Sequence, residues 1–179
     1  MRHTVMALVH DHPGVLNRVV SLFRRRGYNI ESLAVGASET AGLSRMTIVV
    51  DVRDVDQVMK QFSRLIEVVT VRNASSARTV VREMALVKVA APDERRGALA
   101  RLSANAGARE IDASEATVLF EITASPEEVS AFAHRARDFG DVEVTRSGQI
   151  AMMLGASALA AEPAPYHWQA DGATDHAAA

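Results

Sequence analysis

Apolar residues fall in short blocks whose spacing switches between strand-like and helix-like, and the whole pattern occurs twice. Thr4–Val9 is a brief apolar run, the length of a buried strand. Asp11-His12-Pro13-Gly14 predicts a turn, after which Val15, Leu16, Val19, Val20, Leu22 and Phe23 recur at helical spacing. Arg24-Arg25-Arg26-Gly27 ends that helix, because cations favour the negative end of the helix dipole and Gly27 suits a left-handed cap. Strands are predicted from Tyr28 to Ala37 and over Leu43–Val50, where Met46, Ile48 and Val50 alternate with Arg45, Thr47 and Val49. Asp54 with Gln57 resembles a capping box, opening a helix with Val55, Val58, Met59, Phe62 and Leu65 on one face. Ile66–Arg72 closes this unit as a strand. The order is β-α-β-β-α-β.

After a small-polar patch over Asn73–Val81, the order repeats. Met84–Ala91 reads as a strand and Glu94–Ala106 as a helix with Leu99 and Leu102 inward. Arg109–Asp112 and Thr117–Thr123 read as strands. Ser125-Pro126-Glu127-Glu128 is a helix start, with a Ser cap, Pro at the first position and Glu at the third. Val129, Phe132, Ala133 and Ala136 give this helix its apolar stripe. Asp141–Arg146 supplies the last strand, and Ser147–Gly155 reads as a short coda. The expectation is an α+β chain of two tandem ferredoxin-like βαββαβ domains, residues 1–74 and 82–155. Sheets this small, with both helices on one face, leave edges and a second face to cover, so an oligomer is expected.

Residues 156–179 stand apart. They are rich in alanine, are interrupted by Pro163 and Pro165, and carry three acids and no Lys or Arg. With no periodic apolar face to bury, this segment is expected to be a disordered tail. It also holds the sole tryptophan, Trp168.

Composition narrows the functional classes. With 20 Lys plus Arg against 22 Asp plus Glu, the net charge of −2 lacks the clustered cations a nucleic-acid binder needs. The absence of cysteine excludes disulfides, thiolate zinc sites, iron–sulfur clusters and a cysteine nucleophile. No apolar run reaches the ~20 residues of a membrane helix, and no signal-like segment opens the chain, so a cytoplasmic protein is expected.

Catalytic and metal motifs are missing: there is no P-loop, dinucleotide glycine fingerprint, nucleophile elbow or HExxH. His10-Asp11-His12 puts two imidazoles near each other, but no third ligand is close in sequence, and solvated turn histidines are the better reading. The pairs Glu127-Glu128 and Asp54 with Asp56 sit at helix starts, where acids stabilise the positive dipole end. Arg24-Arg25-Arg26 is better explained as a helix C-terminus than as a phosphate patch. No catalytic residue and no metal site is expected.

One place can bind. At Asp11–Gly14 a strand runs into a helix, where free backbone N–H groups and the dipole can seat a carboxylate. Gly14 permits close approach to the backbone, and Asn29, at the start of the next strand, offers a donor and acceptors.

Residues 1–72 resemble an ACT domain, a small βαββαβ module that binds amino acids at domain interfaces. More closely, His12-Pro13-Gly14-Val15-Leu16, Arg25–Leu33 (RRGYNIESL) and Leu43-Ser44-Arg45-Met46-Thr47-Ile48 are similar to the small regulatory subunits of acetolactate synthase. Glu83–Val89 and Glu143–Gly148 resemble the opening and close of the second domain in that family. The resemblance implies a non-catalytic subunit that binds a large catalytic subunit carrying thiamine diphosphate, Mg and FAD, which condenses two 2-keto acids. It implies activation of that subunit and feedback inhibition by valine, in some members by leucine or isoleucine. It further implies a homodimer through ACT domains with effector sites across the interface. Carried onto this chain, the first loop contributes Asp11, Gly14, Val15 and Leu16, the facing copy Asn29 and Ile30, and Gly36 falls at the small position of the following strand. Asp11 would lie near the effector's ammonium. The alternative function is a stand-alone ACT sensor acting on another partner.

Overall fold

A computed structural model describes residues 1–75, 78–155 and 159. The first unit contains β1 (Arg2–His10), α1 (Val15–Arg25), β2 (Asn29–Ala37), β3 (Leu43–Asp51), α2 (Val55–Phe62) and β4 (Val68–Asn73). The second contains β5 (Thr79–Val89), α3 (Asp93–Ala106), β6 (Arg109–Ala113), β7 (Val118–Ala124), α4 (Pro126–Ala136) and β8 (Val142–Met153). Each unit is a four-stranded antiparallel sheet, ordered β2-β3-β1-β4 and β6-β7-β5-β8, which is the ferredoxin-like arrangement expected of an α+β repeat.

Alternation along the central strands separates two layers. Val5, Ala7 and Val9 of β1 and Met46, Ile48 and Val50 of β3 face the helices, where they bury Val19, Phe23, Val58 and Phe62. Phe23 meets Phe62 edge to face, with centroids 5.6 Å apart, which locks α1 against α2. In the second unit Val87, Val89, Phe120 and Ile122 do the same for Leu99, Val129 and Phe132. The helix starts follow their chemistry. Asp54 accepts from Gln57 N at 3.0 Å, and Ser125 and Glu128 form a reciprocal capping box.

Two elements are longer than the sequence pattern predicts. β5 begins at Thr79, inside the small-polar patch, and β8 continues through Ser147 and Gly148 to Met153. The extra residues pair with each other, from Thr79↔Met153 to Arg82↔Ile150, and form a two-stranded ribbon beyond the reach of β7. A register shift at Glu83–Ala85 absorbs the irregularity, where Met84 N donates to Ser147 Oγ at 3.1 Å.

This ribbon covers the face of the first sheet that the helices leave open. Ala151 and Met153 pack with Met6, Leu8, Leu43 and Ala74, and Leu159 is buried in the same cluster. The predicted tail otherwise lies outside the described residues. Gln149 N donates to Ser32 Oγ at 3.0 Å, joining β8 to β2. Two ion pairs stabilise buried acids near the junctions: Glu67 with Arg18, and Glu83 with Arg146 at 2.7 Å. No described helix is long and apolar enough to cross a membrane.

Candidate functional site

The turn between β1 and α1 is held from both sides by backbone. His10 N donates to Glu67 O and Asp11 N to Gly42 O, each at 2.8 Å. Gly14 then adopts φ +92°, a left-handed conformation that an L side chain rarely takes, and becomes the N-cap of α1. Val15 is buried in the helix-side core, so it anchors the turn, while Asp11, Gly14 and Leu16 remain exposed.

The electrostatics of this helix start are unlike those of the other three. α2 begins with Asp56, α3 with Asp93 and Glu94, and α4 with Glu127 and Glu128 in their first turns. α1 has no acid in its first turn, and no side chain among the described residues caps it. Its last turn carries Arg24 and Arg25, which complement the dipole's negative end. The positive end therefore lacks an acid from its own first turn, and a carboxylate placed there would gain about 0.3–1 kcal/mol at an exposed site and more where partly buried.

Strand register places the remaining candidates. His10 pairs with Leu43 and Ala37 with Ser44, so the β1–α1 turn lies at the end of the sheet where β2 finishes. Asn29 pairs with Asp51, at the opposite end. The eight residues separating Asn29 from Ala37 span about 25 Å of strand, so Asn29 and Gly14 of one chain do not share a site. Ile30 lies beside Asn29 and packs partly against the helix-side core. Gly36 returns to the same end as the turn but opposes Arg45 on the other face of the sheet. A Cβ at Gly36 would meet nothing within 4 Å. The structure thus brings Asp11, Gly14, Val15 and Leu16 together, and holds Asn29 and Ile30 away from them within one copy.

β2 is an edge strand. Antiparallel pairing of two such edges about a two-fold axis runs one strand's start beside the other's finish, and so carries Asn29 and Ile30 of a second copy towards the turn.

Sequence spacing gave no sign of the adjoining cleft. A cavity of 440 Å³ opens on the outer face of the first sheet, between Ala34, Gly36 and Thr47 on one side and Val80, Ile150 and Met152 of the ribbon on the other. Its walls could be found only once the ribbon was known to exist. Among the described residues, no three His, Asp or Glu side chains converge to hold a metal ion.

Comparison with known proteins agrees across both units. Residues 5–70 match the AHAS small subunit-like ACT domain, and residues 82–155 match the small subunit of acetolactate synthase. A probable acetolactate synthase small subunit of Archaeoglobus fulgidus is 46% identical over 157 residues, spanning 87% of this chain and 98% of that one. The acetolactate synthase small subunit of Mycolicibacterium smegmatis is 40% identical over 161 residues, or 89% and 95% of the two chains. The crystal structure of the acetolactate synthase small subunit from Thermotoga maritima superposes with a TM-score of 0.79 at 38% identity, covering 88% of this chain and 99% of that one.

Proposed function

The chain belongs to the family of acetolactate synthase small subunits, and on that premise we propose that it activates a thiamine diphosphate-dependent catalytic subunit and makes it sensitive to valine. Thiamine diphosphate, Mg and FAD are assigned to the catalytic partner, and the chain itself is non-catalytic and cytoplasmic. The observation that carries the effector reading is the start of α1: an uncapped, acid-free helix N-terminus behind Gly14, at the end of the sheet to which an edge-paired second copy would bring Asn29.

In this reading the effector's carboxylate sits at the first-turn N–H groups of α1, a turn that carries no acid of its own. Its ammonium lies near Asp11, and Asn29 of a second copy supplies a hydrogen bond. Leu16 and the second copy's Ile30 enclose the side chain. The pocket then separates an apolar from an acidic amino acid decisively, because a buried unpaired charge is costly. It separates valine from leucine or isoleucine only weakly, since one methylene is worth about 1–3 kcal/mol.

Inhibition requires that valine bind one arrangement of the paired subunits better than another, with a coupling typically of about 1–3 kcal/mol. The test is acetolactate formation by the cognate catalytic subunit, with and without this chain and with and without valine. Stimulation that valine reverses is the expected result. Stimulation unaffected by valine, leucine or isoleucine would remove the effector assignment, and no stimulation by a folded chain would remove the proposal.

A further inference from the structure

Two strand irregularities meet at the junction of the units. In β2 the register against β3 shifts between Ile30 and Ser32, which makes Glu31 an extra residue, and Glu31 pairs with Arg2. In β8 the register against β5 shifts opposite Glu83–Ala85, and Glu83 pairs with Arg146. A cavity of 860 Å³ separates these two places, with Arg2, Glu31 and Val49 on one wall and Glu83, Glu127 and Arg146 on the other. Ser32 and Gln149 also line it, and there the units touch: Gln149 N donates to Ser32 Oγ at 3.0 Å. The approach is close because Gly148 has no side chain, and a Cβ on it would lie 3.2 Å from Leu33 O.

We propose that Ser32 is a positioning residue for the valine response, passing effector occupancy from β2 to the second unit through Gln149. The inference rests on the effector reading, in which Asn29 and Ile30 meet the ligand, and adds the route by which the second unit senses it. Glu31 alone separates Ile30 from Ser32. A bulge is where a strand bends while the ladder on either side of it is kept. Drawing Asn29 and Ile30 onto an effector therefore bends β2 at Glu31 and displaces Ser32. The hydrogen bond carries that displacement to Gln149, beside the second register shift, where β8 can bend in the same way. The open cavity next to the contact leaves the walls room to follow. Coupling between sites needs two arrangements that the ligand tells apart, and the bend at Glu31, taken up or relaxed, supplies them.

The test sets valine binding against valine inhibition, by calorimetric titration of the full chain and by acetolactate formation with the cognate catalytic subunit. Ser32→Ala is expected to bind valine within about threefold of wild type and to lose at least half of the maximal inhibition. Ser32→Thr, which keeps the hydroxyl, should retain that inhibition. A wild type that does not bind valine, or binds it without inhibition, would remove the effector reading and this inference together. Wild-type inhibition in Ser32→Ala, or a loss of binding that accounts for the loss of inhibition, would overturn this inference alone. So would a Ser32→Thr chain as impaired as Ser32→Ala, which would trace the effect to packing and not to the hydrogen bond. Amide hydrogen exchange on the chain alone gives a second readout. Valine should slow exchange in β8 of wild type and leave β8 of Ser32→Ala unchanged, and a β8 that responds in both or in neither would equally overturn the inference.

Discussion

Ser32 accepts a hydrogen bond from the backbone N–H of Gln149 at 3.0 Å, across 117 residues of sequence, and thereby joins the edge strand of one sheet to the last strand of the other. The contact is possible because the preceding residue is Gly148. It has φ +82°, and a Cβ there would lie 3.1 Å from Ser32 Oγ and 3.2 Å from Leu33 O. Gly148→Ala is therefore expected to destabilise the chain by about 1–3 kcal/mol, combining backbone strain with a contact the Leu33 backbone cannot readily relieve. Chemical denaturation measures this, and Gly155→Ala, also at positive φ but with open space around it, separates strain from crowding.

On the proposed effector reading, Asn29 and Gly14 should govern the ligand response, with Gly14→Asp also carrying backbone strain because Gly14 has φ +92°. Asn29→Ala and Gly14→Asp are each expected to raise the valine midpoint of inhibition at least tenfold, about 1.4 kcal/mol, while largely sparing stimulation of the catalytic subunit. Asn29→Ala removes a donor that a second copy would supply, and Gly14→Asp puts a negative charge where the effector's carboxylate would sit. Inhibition curves for the reconstituted enzyme decide it. Wild-type sensitivity in both variants would place the effector elsewhere.

Glu83 and Arg146 should respond unequally to mutation. The Glu83 side chain is 6% exposed, whereas Arg146 is 35% exposed and also donates to Ser130 Oγ. Arg146→Met leaves a carboxylate buried without its cation and is expected to cost about 2–4 kcal/mol. Glu83→Gln leaves a guanidinium that solvent reaches, and is expected to cost about half as much. Urea unfolding of the two variants gives the comparison, and equal losses would contradict it.

The hairpin between β2 and β3 carries an acid-sensitive pair. Arg45 donates to Glu39 through Nε at 3.0 Å and Nη2 at 2.6 Å. This contact first, with a backbone hydrogen bond second, lowers the Glu39 carboxyl from 4.5 to about 2. A carboxyl depressed on folding adds stability that is complete above its unfolded value and is lost as pH falls through its folded one. The Glu39 contribution should therefore be intact at pH 6 and disappear between 4.5 and about 2. A carboxyl-resolved NMR titration should find the low midpoint, and Glu39→Gln should flatten that part of the acid-unfolding curve.

Leu159 marks a limit to truncation. It is 6% exposed among Met6, Leu8, Leu43 and Ala74. Ending the chain after residue 159 is expected to leave stability unchanged, whereas Leu159→Ala in the full chain should lose about 2–3 kcal/mol as its apolar area returns to water. Thermal melts of the two proteins test this directly.

The repeat could be read along the chain because each strand and helix declares its own period. Val5, Ala7 and Val9 against Met6 and Leu8 are one strand with two apolar faces, while Val15, Val19, Leu22 and Phe23 are one helical stripe. The ribbon could not be read this way. Thr79–Arg82 and Ile150–Met153 form strands only by pairing across some 70 residues, and Ser147-Gly148 has the local chemistry of a break. The buried acids Glu67 and Glu83 were equally silent, because only three-dimensional placement supplies Arg18 and Arg146. The candidate site was legible as a set of residue types. Whether Asn29 and Gly14 meet within a chain or between chains depends on strand register, which composition does not contain.

β6 holds the same place in the second sheet that β2 holds in the first, yet all five of its residues are exposed and three are charged: Arg109, Glu110 and Asp112. Two units so alike create a hazard, because an edge resembling β2 could be mistaken for it by the β2 of a neighbouring molecule. Head-to-tail joining of that kind never closes and grows into a filament. The one charge on β2, Glu31, is paired with Arg2, and its Ala34-Val35-Gly36-Ala37 half has none with which to answer Arg109, Glu110 and Asp112, so the mispairing would set ions against apolar residues. In the proposed pairing of β2 edges, the divergence between these two edge strands would favour a finite particle over an endless one.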